Sequence, residues 1–248
     1  MNTLTATIIS HRDERQAVNL ARFFKTGPGQ YGEGDKFLGV KVPVTRSVVK
    51  ELWSTCTFDE LEECLASEWH EVRLAALLVL VQQFKHAKPR PASKKPVVTQ
   101  KACIDFYLSH LVAINNWDLV DLSCYELLGS WLLDKDAATL YDLAVNGSTI
   151  WEQRIGIVST MQFLRHGRLD DTYAIADLLL HHSHDLIHKA VGWLLREAGK
   201  RDEHRLHTYL QSPAKGEEVP RYQSMPRTAL RYAIEKFPAE VRRSYLAK

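Results

Sequence analysis

The chain has 248 residues, 45% hydrophobic and 25% charged, with a formal net charge of +2. That balance is ordinary for a soluble globular protein with a real core. No apolar run reaches about 18 residues, so no transmembrane helix is expected. The near-neutral total leaves nucleic-acid binding to depend on whether the basic residues share one face.

Met1 to Arg15 lacks a basic stretch followed by an apolar one, so no signal peptide is expected. Cys56, Cys64, Cys103 and Cys124 show no C-x-x-C spacing and read as reduced cytosolic thiols. The first departure from helical patterning is Gly27 to Asp35, with four glycines in eight residues. These permit positive φ and close backbone approach. No G-K-[ST] ending follows, so it is not a nucleotide-phosphate loop.

Apolar spacing of i, i+3, i+4, i+7 predicts helices at 46–53, 58–65, 72–84, 101–114, 117–133, 137–145, 150–164, 171–180, 186–198 and 227–237. No alternating run argues for a strand, so the fold class is all-α. Lys85 to Pro96 interrupts the pattern with three prolines and five Lys/Arg residues. It reads as an exposed basic loop, with a phosphate-contacting flap as the sharper alternative.

Several helices share a local pattern of a polar or basic residue, then a small one, then apolar spacing. Aligned on Arg73, Asp118, Arg154, His188 and Arg227, the steps are 45, 36, 34 and 39 residues. Such steps suit a HEAT-like solenoid of antiparallel helix pairs with a concave binding face, in one domain spanning 1–248. Small residues such as Gly156 and Gly192 let paired helices approach closely.

Within this series, Asn115-Asn116-Trp117-Asp118-Leu119-Val120-Asp121 reads as a helix start with Asn116 as N-cap. Trp117 and Asp121 stand at i and i+4 on one face, an aromatic beside an anion, which suits something cationic. The plainer alternative is a buried tryptophan with an exposed aspartate. Trp151 near Arg154, and Trp193 near Arg196, repeat the aromatic-basic theme. Taken singly these tryptophans read as core. On successive repeats they could line one groove that grips a sugar-phosphate backbone.

His181, His182, His184 and His188 are the candidate metal cluster, and His184 and His188 have i, i+4 spacing. They fall at a helix end, where histidine satisfies terminal carbonyls, and no H-E-x-x-H is present. No metal and no cofactor are therefore expected. Nor is there a G-x-S-x-G elbow or a nucleophile signature around Cys124.

The segments Phe24 to Val40, Asn115 to Asp121, Ile150 to Ile155, His188 to Glu197 and Met225 to Ala233 resemble the DNA alkylation repair family, in particular its AlkD-like alkylpurine DNA glycosylases. The resemblance runs in order from about Phe23 to Pro238. It implies a HEAT-like fold with a concave DNA-binding face, and excision of N3- and N7-alkylated purines from double-stranded DNA. It also implies Asp121 as the catalytic carboxylate, Trp117 and Trp193 as aromatics bracketing the lesion-bearing backbone, and Tyr31 and Arg154 beside them as DNA-binding residues.

Capture of the backbone with the lesion left stacked is a further implication. The expected protein is a monomer acting on nucleoid DNA in the cytoplasm. A non-catalytic HEAT-type module for branched or bent DNA is the competing reading, and a protein-interaction scaffold a third. A carboxylate among phosphates would repel DNA in a pure binding module, so Asp121 favours the enzyme.

Overall fold

The computed structural model describes residues 1–87 and 98–247, and every regular element among them is helical. By contacts, the chain forms two compact units, Met1–Ser123 and Cys124–Lys248.

The first unit holds α1 (Thr3–Ser10), α2 (Glu14–Phe23), α3 (Val42–Leu52), α4 (Phe58–Leu65), α5 (His70–His86), α6 (Gln100–Ser109), a 3-10 turn at Leu111–Ala113, and α7 (Trp117–Asp121). Its centre is α5, in which 14 of 17 residues are buried, charged His70, Glu71 and Arg73 among them. It is covered by α1, α3, α4, α6 and α7. A helix apolar on all sides has no solvent face to offer, which explains why it sits in the middle. Its one-sided i, i+4 pattern in the sequence understates this. Around it, α4 starts with a capping box: Thr57 accepts from the Glu60 amide, and the Glu60 carboxylate accepts from the Thr57 amide.

The second unit opens with a π-helical turn at Tyr125–Gly129. It continues through α8 (Ala138–Asn146), α9 (Ile150–Val158), α10 (Met161–Arg165), α11 (Asp170–Leu178), α12 (Asp185–Gly199), α13 (Glu203–Gln211), α14 (Arg221–Ser224), α15 (Arg227–Ala233) and α16 (Ala239–Leu246). Here α12 is central, packed on α9, α11, α13 and α15. Two glycines set close helix crossings. A Cβ on Gly192 would lie 2.4 Å from the Ala229 carbonyl oxygen, and one on Gly156 2.7 Å from that of Leu140. These are the small residues expected to admit a neighbouring helix.

The 171–180 and 227–237 helices end early, at Leu178 and Ala233, and three others are cut short for a hydroxyl or imidazole reason. The 101–114 helix stops at Ser109, where the Ser109 hydroxyl and the His110 ring both engage the Phe106 carbonyl. The 117–133 helix breaks after Asp121: the Ser123 hydroxyl donates to the Leu119 carbonyl at 2.5 Å, the acceptor its own amide would have used. The 150–164 helix divides at Ser159–Thr160, where the Thr160 hydroxyl takes the Ile157 carbonyl. Conversely α1, α2, α13, α14 and α16 were not predicted. Their buried residues are two at most, as in α13 with Leu206 and Leu210, too few to print a period. Of the Lys85 to Pro96 segment, Lys85 and His86 end α5 and residues 88–97 lie outside the described residues.

Candidate DNA-facing site

In the first unit the site is built from three stretches that α5 pins together. After α2 the chain turns through a Schellman motif: the Lys25 amide donates to Arg22 and the Thr26 amide to Ala21, with Lys25 at φ 54°. This turn buries Phe24 and leads into the glycine-rich loop. A Cβ on Gly32 would stand 2.3 Å from the Phe24 carbonyl oxygen, so only glycine fits there. The loop carries Tyr31, half-buried, whose hydroxyl donates to the Phe23 carbonyl at 3.3 Å.

The next segment, Leu38-Gly39-Val40, presents three amides to the buried Glu71 carboxylate at 2.9, 2.8 and 3.1 Å. Three N–H donors on one carboxylate form charge-assisted bonds that bolt this strip to α5.

Just before it stands Asp35, buried, the hub of a second network. It accepts from Arg73 at 2.5 Å, from Asn115 at 3.2 Å, from Asn116 at 2.9 Å, and lies 3.2 Å from His70 Nδ1. The other ring nitrogen of His70 lies 2.9 Å from Asp118, whose second oxygen accepts from the Leu119 amide. Asn116 caps α7 as expected, its side-chain oxygen accepting from the Trp117 amide.

Burial alone would raise the Asp35 pKa, but the hydrogen bonds of His70 and Asn116 and the Arg73 charge hold it down at about 2. For His70, burial works to lower the pKa, and the bonds to Asp118 and Asp35 overcome it, pushing it up to about 9. Stability therefore depends on pH from both sides. The Asp35 contribution is present above its free value of 3.8 and lost as pH falls toward 2. The His70 contribution is complete below 6.5 and lost as pH rises through about 9. Urea unfolding is expected to give its largest free energy from this network between those limits. From 6.5 to 9 the decline should be on the order of 3 kcal/mol, flattened in His70→Gln.

Above the network runs a ladder of rings. Trp117 stacks on Phe24 at 5.3 Å, Phe24 on Phe37 at 5.0 Å, and Phe37 on His70 at 4.6 Å. Phe23, 62% exposed, packs edge-on against Trp117 at 5.9 Å. Trp117 and Asp121 are both half-buried, at the two ends of the single turn of α7, while Leu119 and Val120 are fully buried. Tyr31, Phe23, Trp117 and Asp121 thus belong to one unit, with Phe23 linking Tyr31 to Trp117. Sequence reasoning missed Phe23, Asp35, His70, Glu71 and Asp118. The signal available was Asp118 itself, charged and set in a run of otherwise apolar helix positions.

In the second unit, Trp193 is half-buried on α12, and Trp151 is buried on α9. Arg154 is also buried, at 5% exposure, and its guanidinium donates to the Leu186 carbonyl in the first turn of α12. Between α15 and α16 a surface cavity of about 360 Å³ is lined by Arg231, Arg242 and Arg243, with Ile234, Ala239 and Leu246. These three arginines are exposed, and none pairs with a carboxylate among the described residues.

The histidines are occupied locally. His182 meets Gln153 and accepts from the His184 amide, His184 accepts from the Leu186 amide, and His188 meets the His182 carbonyl. Among the described residues no cluster of His, Cys, Asp and Glu could hold a metal ion. Burial pushes the Cys103 thiol up to about 12, and Cys124 is fully buried, so neither offers a thiolate nucleophile. No described helix is long and apolar enough to cross a membrane.

The family model for DNA alkylation repair enzymes matches residues 4–237. A solved structure described as a predicted DNA alkylation repair enzyme from Enterococcus faecalis is similar with a TM-score of 0.68 at 14% identity, over 92% of this chain and 98% of that one. No curated protein sequence matches. At that identity the structural likeness speaks for the fold, and the match along nearly the whole sequence speaks for the family: the chain belongs to the DNA alkylation repair enzymes, an all-α family whose role is in DNA repair.

Proposed function

We propose that the protein is a monofunctional DNA glycosylase that hydrolyses the N-glycosidic bond of cationic N3- and N7-alkylpurines in duplex DNA, as a monomer and without a cofactor. The observation that carries this reading is Asp121, a half-exposed carboxylate one helical turn from half-exposed Trp117 on a short, anchored helix.

The chemistry asks for little more. An alkylated purine already carries positive charge, so its glycosidic bond breaks with the electron pair leaving on the base, which becomes neutral. No acid is needed at the leaving group. Positive charge then develops on the deoxyribose, and a fixed carboxylate near C1′ stabilises it. Water adds at C1′, and its proton passes to the carboxylate or to solvent. Trp117, rigid on the Phe24 stack, offers an electron-rich face to the same charge. Selection by bond lability, with the lesion left stacked, fits a site carried on an exposed aromatic surface.

Trp193 and Arg154 are proposed as DNA contacts of the second unit, and the unpaired arginines of the α15–α16 cavity suit phosphate. Replacing Arg154 by Ala is expected to weaken duplex binding and lower the slope of log Kd against log salt by about one. An unchanged slope with a lowered Tm would confine Arg154 to joining α9 to α12. The reading itself is tested by release of free purine from methylated duplex, wild type beside Asp121→Asn.

A further inference from the structure

The buried charges under α7 are not needed to hold an all-α core together. A helix can be seated more cheaply by apolar contacts, since desolvating ions costs more than packing hydrocarbon. Yet here four charged side chains, Asp35, His70, Arg73 and Asp118, are all less than a tenth exposed. With His70 protonated, their formal charges sum to zero. With it neutral, these four would carry one uncompensated negative charge, beside the buried Glu71 carboxylate that the Leu38, Gly39 and Val40 amides hold.

The geometry selects the protonated form independently. Both ring nitrogens face carboxylate oxygens, Nδ1 at 3.2 Å from Asp35 and Nε2 at 2.9 Å from Asp118. A neutral imidazole has one N–H and one lone pair, so one of these contacts would set lone pair against lone pair. Only the imidazolium donates to both. Its ring also lies 4.6 Å from Phe37, nearly parallel, and 5.0 Å from Phe24, an arrangement that favours a cation.

What this cation holds is the start of α7. Asp118 is the residue after Trp117 and three before Asp121. Asn115 and Asn116, on the other side of Trp117, are bonded to the same Asp35 that His70 engages. Trp117 is therefore fixed from both flanks by one network, in which His70 meets Asp118 directly and meets Asn116 by way of Asp35, and from beneath by Phe24, which itself contacts the His70 ring.

We infer that His70 is a positioning residue of the site: as an imidazolium bridging Asp35 and Asp118, it sets the orientation of Trp117 and Asp121 without touching DNA. This rests on the glycosylase reading only for its catalytic consequence. The groups that govern its charge are Asp35 from the loop before α3, Asp118 from α7, and Arg73 from α5, which is held on Asp35.

Two measurements test it, and they fail separately. In protein labelled with 5-fluorotryptophan, the six tryptophan signals are assigned by Trp→Phe variants. The Trp117 signal is expected to move with a midpoint near pH 9 in the wild-type chain, while that of Trp193 stays, and to be displaced or broadened in His70→Gln and Asp118→Asn. A Trp117 signal unmoved from pH 7 to 10, or identical in a folded His70→Gln, overturns the inference. The pH titration needs no substitution at His70, so it stands even if His70→Gln does not fold.

In single-turnover excision from methylated duplex, folded His70→Gln is expected to lose tenfold or more in rate while Kd for duplex changes less than twofold. Equal losses in rate and binding would overturn the positioning role. If the wild type releases no purine at all, the glycosylase reading falls, and the fluorine titration still decides whether His70 orients Trp117.

Discussion

Asp121→Asn is expected to fold and bind duplex DNA like the wild type and to excise alkylated purines at least a hundredfold more slowly. The substitution keeps the shape of the side chain and removes its charge. Removing an electrostatic stabiliser of this kind typically costs about 3 kcal/mol in the barrier, which corresponds to that factor. The fold should tolerate it because α7 is seated by other groups. Leu119 and Val120 fill the core, Asn116 and Asp118 make the buried bonds, and Asp121 closes the turn at a half-exposed position. Single-turnover excision with saturating enzyme, beside equilibrium binding to unmodified duplex, separates the two effects. A variant with the wild-type rate would remove Asp121 from the chemistry. Loss of rate and binding together would make it a grip on DNA instead, an odd role for an anion among phosphates.

Glu71→Ala is expected to produce the largest loss of stability of any single substitution near the site. It strips the acceptor from three buried amides, those of Leu38, Gly39 and Val40. An unsatisfied buried donor costs about 1–3 kcal/mol, so three cost roughly 3–6 kcal/mol even if the loop relaxes somewhat. That is a large part of the roughly 5–15 kcal/mol that holds a typical domain. The strip also carries Phe37, the ring between Phe24 and His70. Loosening it should therefore disturb the ladder on which Trp117 stands. Glu71→Gln keeps one carbonyl oxygen, able to serve Gly39 and Val40 as Oε1 does now, and is expected to lose about half as much. The free energy of urea unfolding decides. A loss under about 1 kcal/mol for Glu71→Ala would mean that water reaches those amides once the carboxylate is gone.

The all-α class, the position of most helices and the face shared by Trp117 and Asp121 were legible in the chain because each is a local matter. Helical spacing, an N-cap asparagine and an i, i+4 pair are all written within one or two turns. Gly156 and Gly192 were legible for a similar reason: a glycine inside a helical pattern announces a close neighbour. The network under α7 was not legible. Its members lie at 35, 70, 73, 115, 116 and 118, and nothing local to Asp35 or His70 says that they meet. Arg73 and Asp118 did stand out, but as repeat landmarks, when their partners lie within one unit and not along a repeat. The helix ends failed for a different reason. Ser123 and Thr160 sit at positions where the apolar period continues, and their hydroxyls nonetheless take the carbonyls that would have extended it. Arg154 shows the limit of charge as a guide to exposure, since it is 5% exposed and bonds the Leu186 carbonyl.

The proposed reaction breaks the glycosidic bond of a cationic purine with no help from a metal. The most direct measurement is chromatographic detection of free N3-methyladenine and N7-methylguanine released from dimethyl-sulfate-treated duplex DNA by the wild-type protein, with EDTA present. Release well above the spontaneous rate, with the DNA strands left uncut, is the predicted result. Bound duplex with release no faster than in buffer would contradict it, and would make the protein a DNA-binding member of its family without glycosylase activity.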